Sequence, residues 1–124
     1  MKLLFSTALI VLLAFQPAGR AEVKPDAGSF AAFWSQFKEG VLKGDKEAIA
    51  GMTKFPFSDN QLTKANFVKK CGEMFSAKVL RCFRSAKPVK DDKRDSYSVF
   101  CGETIFVFEK GKDGYQFTDL GVND

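Results

Sequence analysis

Apolar residues recur at two different periods along this chain, and the change of period divides it. From Gly28 the spacing is helical. Phe30, Phe33, Trp34, Phe37 and Val41 stand at i, i+3, i+4, i+7 and i+11, with Gln36, Lys38 and Glu39 opposite. Asp26 or Ser29 can cap the start of this helix, and Gly44 is placed to end it. Asp45 can then cap a short second helix with Ala48, Ile49 and Met52 on its inner side. Phe55-Pro56-Phe57 is predicted to be extended, because the residue before a proline avoids the helical region. Ser58-Asp59-Asn60 reads as a turn. Thr63 caps a third helix whose inner positions are Phe67, Val68, Cys71, Met74 and Phe75. In the stretch from Ala77 to Ala86, Val79, Leu80, Cys82 and Phe83 fit a helical turn better than strand alternation, and Pro88 ends it. Lys87 to Asp95 is predicted to be a charged loop.

After Tyr97 the period shortens. Tyr97 to Asp124 reads as three short strands, the only sheet large enough to receive the helices. Thr104 to Phe108 carries β-branched and aromatic residues on both sides of the pleat, which suits a strand covered on both faces or strongly curved. Gly111-Lys112-Asp113-Gly114 supplies turn chemistry, and Tyr115 to Thr118 resumes the alternation. Helices first and antiparallel sheet last predict an α+β domain.

The first 21 residues are set apart from that fold. Lys2 is a short positive region, Leu3 to Phe15 an apolar run of signal-peptide length, and Gly19-Arg20-Ala21 a small-residue cleavage site. The run is well short of the ~20 apolar residues that a spanning helix needs. The expected organisation is a signal peptide over 1–21, a flexible lead-in over 22–29 and a single α+β domain over 30–124. Of the 14 phenylalanines, only Phe5 and Phe15 leave with the signal, so the rings can carry much of the folding energy at roughly 1.5–3 kcal/mol each. The formal charge of +4 falls to +2 when Lys2 and Arg20 are removed, too small a bias to argue for nucleic-acid or membrane binding.

Export changes the reading of Cys71, Cys82 and Cys101. An oxidising compartment predicts one disulfide and one remaining thiol. Three pairings are possible and the sequence does not choose among them. Cys82 with Cys101 is preferred because it would pin the last helical segment to the sheet. Cys71 falls on an apolar helix face and reads as a small buried hydrophobe.

Candidate chemistry is sparse. There is no histidine, hence neither the commonest general base nor the commonest transition-metal ligand. Three widely spaced cysteines make a poor zinc site. Asp91-Asp92-Lys93-Arg94-Asp95 lacks the spacing and glycine of a calcium loop. No cofactor and no metal is expected. Ser35 to Lys38 and Ser58 to Asn60 match short patterns of penicillin-recognising enzymes by chance, since the larger scaffold and the Lys-Thr-Gly strand are missing. Arg81, Arg84, Lys87 and Lys90 recur at threes and would form a basic ridge on one helical turn.

The Phe-x-x-Phe-Trp-x-x-Phe opening at Phe30 to Phe37 precedes a Gly-Asp break at Gly44-Asp45 and a Phe-Pro-Phe edge at Phe55 to Phe57. With the closing Cys-Gly-Glu at Cys101, Phe-x-Phe-Glu-Lys from Phe106 and Gly-Tyr-x-Phe-Thr from Gly114, the chain resembles small exported bacterial proteins similar to the nuclear transport factor 2-like superfamily. The resemblance spans Phe30 to Asp124. It implies a cone, with helices packed on a curved C-terminal antiparallel sheet and often a pocket between them. Fewer strands are predicted here than that fold usually has. Its members include isomerases, dehydratases, small-ligand binders and scaffolds, so fold says little about function. The dehydratase type depends on histidine, absent here. The steroid-isomerase type would leave Asp119 with Tyr97 and Tyr115 as the sole catalytic set. An open cone mouth would let Phe33, Trp34, Phe37, Tyr97 and Tyr115 line a ligand pocket.

The expectation is an exported, non-enzymatic binding module or scaffold for a small apolar ligand or an envelope protein partner. It would be monomer or homodimer, without nucleic acid and without stable membrane insertion after cleavage. The competing readings are an isomerase or hydrolase using carboxylate and tyrosine, and a protein-interaction module using the basic ridge.

Overall fold

The computed structural model describes residues 28–123. The predicted signal peptide, most of the lead-in, Asp26 as a cap, and Asp124 lie outside the described residues. Among the described residues four helices come first: α1 (Phe30–Lys43), α2 (Lys46–Gly51), α3 (Lys64–Met74) and α4 (Ala77–Ser85). Each starts on a side chain that accepts from a backbone N–H of its own first turn. Ser29 accepts from Ala32, Asp45 from Ala48, Thr63 from Asn66 and Ser76 from Val79. Gly44 ends α1 in the left-handed region, φ 69°, and its N–H reaches back to Gly40 and Val41. The Ala77 to Ala86 stretch is helical through Ser85, with extended backbone at Ala86 ahead of Pro88.

The sheet has four antiparallel strands in chain order: β1 (Val89–Lys90), β2 (Ser96–Cys101), β3 (Thr104–Gly111) and β4 (Gly114–Val122). The sequence predicts three strands. The fourth, β1, lies within the stretch read as a charged loop, where Val89 pairs with Ser98 and Lys90 with Tyr97. Two residues are too few to show a period. They become a strand only because Asp91 N–H bonds the Ser96 carbonyl and folds the charged segment back. The architecture is α+β, with the helices N-terminal to an antiparallel sheet.

Alternation assigns the sheet faces. Val99, Phe106, Phe108 and Phe117 point toward the helices and have no exposed surface. Phe100, Ile105 and Val107 take the opposite face; Phe100 is 49% exposed and the other two are half-buried. β3 is therefore shielded fully on one side only. A register shift between Val107 and Phe108 sets Thr118 and Asp119 together against Val107.

The core is largely phenylalanine. Phe117 packs against Phe37, Phe57, Phe67, Phe75, Phe106 and Phe108 with ring centroids 4.7–6.2 Å apart. Its backbone is held as well. Phe117 N–H donates to the Met52 carbonyl at 2.8 Å, and Lys54 N–H donates to the Phe117 carbonyl at 2.9 Å. These two bonds dock the segment after α2 on the outer edge of β4 as an isolated parallel bridge between Thr53 and Phe117. Thr53, buried here, donates its hydroxyl to the Ile49 carbonyl at 2.7 Å, so no polar atom is stranded.

The Cys82 and Cys101 sulfurs stand at disulfide-bonding distance, with 5.8 Å between their Cα atoms, and join α4 to β2. Cys71 is free and buried between α3 and the neighbouring helices. Such a pair is compatible with an oxidising, exported location. Among the described residues no helix is long and apolar enough to cross a membrane.

Two outcomes are expected. Phe117→Ala should cost about 3–5 kcal/mol, as for other buried phenylalanines, measured as a lowered urea midpoint. Thiol titration of oxidised protein should find one reactive group per chain after denaturation and almost none before it, because Cys71 is only 3% exposed.

Candidate functional site

The five aromatic residues expected to line a pocket separate into two groups. Phe37 is wholly buried, in contact with Phe108 and Phe117. Trp34 is half-buried and lies over Phe83 and Phe108, with centroids at 5.2 and 5.8 Å. Tyr97 stacks on Phe30 at 3.7 Å with the rings nearly parallel. These three are packing residues. Phe33 and Tyr115, 6.3 Å apart, reach the rim and line a depression of about 230 Å³ between the start of α1 and the β3–β4 turn. Ser29, Ala32 and Gln36 supply its α1 wall, and Asp113 with Gly114 the facing one.

Each wall has a local cause. Ser29 caps α1, which fixes the first turn, and the helical period brings Ala32, Phe33 and Gln36 to the same side. Across from it, Gly111 pairs with Gly114 around the two residues Lys112 and Asp113, and Gly114 has φ 107°, a conformation glycine adopts without strain. The turn therefore presents Asp113 beside the Tyr115 ring. Asp113 and Gln36 were legible only as a turn residue and a solvent-side helix residue. Their role in the depression depends on a contact between segments far apart in sequence. A wider groove of about 430 Å³ continues from Gln36 between α1 and α2, past the Glu39–Lys43 ion pair (2.6 Å) and Asp45.

The aspartate–tyrosine set does not converge. Tyr97 and Tyr115 are neighbours on the helix-facing side, with centroids 5.8 Å apart. Strict alternation from Tyr115 and Phe117 would put Asp119 on that side too. The bulge inserts one residue, so Asp119 pairs with Val107 on the opposite face, where its carboxylate accepts from Leu120 N–H at 2.8 Å. Partial burial of the Tyr115 ring, then the nearby Asp95 carboxylate and Tyr97, pushes its phenol above the ordinary tyrosine value. Burial likewise pushes the Cys71 thiol up.

The basic ridge is divided as well. α4 stops at Ser85, so only Arg81 and Arg84 share the helix. Lys87 lies in the connection, and Lys90 sits in β1 with its ammonium on the Asp91 and Arg94 carbonyls. Pro88 and the extended Ala86 break the period of three that would have aligned them. Among the described residues no group of three or more cysteine, aspartate or glutamate side chains is placed to hold a metal ion.

No protein-family model, curated protein or solved structure matches the chain.

Tyr115 gives a pH-dependent expectation. Its neutral, protonated form is favoured in the folded state, so the folded chain keeps this proton at pH values where the unfolded chain has lost it. The stabilisation is whole below about pH 10 and is lost as pH rises through the higher folded value. Ultraviolet titration of tyrosinate should show a late component that Tyr115→Phe removes.

Proposed function

We propose that the protein is an exported, non-enzymatic binding module that holds a small, mainly apolar ligand between α1 and the β3–β4 turn. The observation that carries this reading is the meeting of Phe33 and Tyr115 with Ser29, Gln36 and Asp113 around one depression. Two aromatic surfaces offer area at low conformational cost, and the hydroxyl, amide and carboxylate groups around them offer orientation. A flat ring bearing a hydrogen-bond donor suits that lining.

Export is supported by Lys2, the apolar run Leu3 to Phe15 and the small residues ending at Ala21, together with the Cys82–Cys101 pair. A cone of the nuclear transport factor 2-like kind is supported by helices packed on one face of an antiparallel sheet and by the β4 bulge, since bulges bend and twist the strand that carries them. The non-enzymatic part of the proposal is supported by the separation of Asp119 from the two tyrosines across the sheet.

Amide-resolved NMR titration with indole and with phenol tests the reading. Saturable shifts are expected at Ala32, Phe33, Gly114 and Tyr115. Tyr115→Leu should weaken binding about fivefold, an aromatic contact being worth roughly 0.5–1.5 kcal/mol. Gln36→Ala should weaken it less, and Asp119→Asn should leave it unchanged. Shifts that do not saturate, or that cluster away from these residues, would reject the site.

A further inference from the structure

The sheet face turned away from the helices carries a row that is unequal at its two ends. Phe100 pairs with Ile105, and Ile105 with Gly121. A ring, a branched side chain and a bare backbone thus stand side by side across β2, β3 and β4. Phe100 is 49% exposed. We propose that this face binds a second copy of the chain about a two-fold axis running along β3. The inference is independent of the aromatic depression, which lies toward the helices.

The chain's own backbone does not demand a glycine at 121. Its φ lies outside the left-handed region, and a Cβ there would meet Ile105 Cβ at 3.5 Å, an ordinary contact. A glycine within a strand weakens it, and often marks a place where another group comes close. The group of matching size on this face is the exposed ring at the other end of the same row.

One symmetry operation brings the two together. Sheets pack face to face about 10 Å apart with their strands nearly aligned. A two-fold along β3 keeps each row at its own level and exchanges β2 with β4, giving a closed, isologous pair. Phe100 then lies over the partner's Gly121, while Ile105 and Val107 each meet their own copies. In the next row on this face, Ser98, Val107 and Asp119 pair across the same three strands. The operation sets the Ser98 hydroxyl against the partner's Asp119, whose carboxylate is already held by Leu120 N–H at 2.8 Å. A two-fold laid across the strands through Val107 would instead press Ile105 onto the partner's Glu109.

The rims match in charge. Lys54 follows the buried Thr53 at the border of β4 and lines a concavity with Gln116 and Thr118, so it belongs to this face. At the other border, Val89 pairs with Ser98, and Asp91 N–H bonds the Ser96 carbonyl one row further on. The Asp91 carboxylate is steadied by Lys93 N–H at 2.8 Å. Exchange of the borders lays the Lys54 stem on the partner's Val89, 55% exposed, and carries its ammonium toward the partner's Asp91. That pair forms twice. Glu109 alone meets a like charge, its own copy. Its Oε1 accepts from the Thr118 hydroxyl at 2.6 Å, which draws it toward β4. The axis reverses the strand order, so the two carboxylates lean apart.

The face measures roughly 19 by 25 Å, or about 500 Å² per copy, from the usual strand spacing and rise. Two such faces bury about 1,000 Å² in total, the lower bound of specific interfaces, which fits a reversible dimer.

Sedimentation equilibrium of the exported protein should show a monomer–dimer equilibrium. Phe100→Asp and Gly121→Val, the one removing the ring and the other filling its seat, should each raise the dissociation constant at least about tenfold. Far-UV circular dichroism should show both variants folded. Lys54→Glu and Asp91→Lys should each weaken the dimer severalfold, and the double variant should restore it. Within one chain these residues stand on opposite borders, about 19 Å apart, so restoration comes only from the partner. A monomer at every concentration, or a dimer indifferent to Phe100→Asp, would overturn the proposal. A double variant no better than the single ones would overturn the axis.

Discussion

Phe117 is held from three directions at once, and most of the architecture depends on that. Its ring fills the space where α1, α3, the Phe57 turn and β3 converge. Its amide and carbonyl, both directed away from β3, close on Met52 and Lys54. A residue whose backbone and side chain are both saturated leaves its neighbours little freedom of register. The segment after α2 is thereby tied to the sheet, and α3, which follows it, starts from a fixed point. Helix packing and strand pairing, which could form separately, become one cooperative unit through this residue.

One residue further on, the bulge reverses the facing of the chain. Before it, Tyr115 and Phe117 face the helices; after it, Leu120 does so and pairs with Phe106. The inserted position lets β4 keep an apolar inner row although Asp119 stands where strict alternation would require a hydrophobe. The same displacement turns the Thr118 hydroxyl to Glu109 and removes Asp119 from the tyrosines. A single backbone irregularity thus shapes the core, the Thr118–Glu109 hydrogen bond and the fate of the aspartate–tyrosine set.

α1, α2 and α3 were legible because two signals agreed for each of them: an apolar stripe at the helical period, and a Ser, Asp or Thr at the start able to accept from the first turn; α4 was read from its apolar spacing alone, without its cap Ser76. Cys82 and Cys101 were preferred as a pair on the ground that they join α4 to the sheet, and their sulfurs are at bonding distance. What escaped had no local period. β1 is two residues long and exists through a partner strand. The bulge is silent, because Tyr115, Phe117 and Asp119 continue the spacing of a regular strand. The basic residues kept a period of three past a proline, where the helix that would have used it had ended. At the depression, Phe33 and Tyr115 could be named as aromatics beside the core, but not their pairing with Asp113, which needs the turn and α1 to meet.

The position of Met52 to Lys54 has a further consequence for how the sheet meets other sheets. β4 is an outer strand, and a long unpaired edge invites a strand from a neighbouring molecule. Here the outward groups of Phe117, in the middle of β4, are already taken by the parallel bridge to Thr53. A foreign strand laid along β4 would run into that segment halfway. At the opposite margin β1 offers only two residues. Both borders are thus interrupted or too short to template edge-to-edge growth, and Phe100, 49% exposed, stands on a sheet face, where backbone hydrogen bonding cannot propagate.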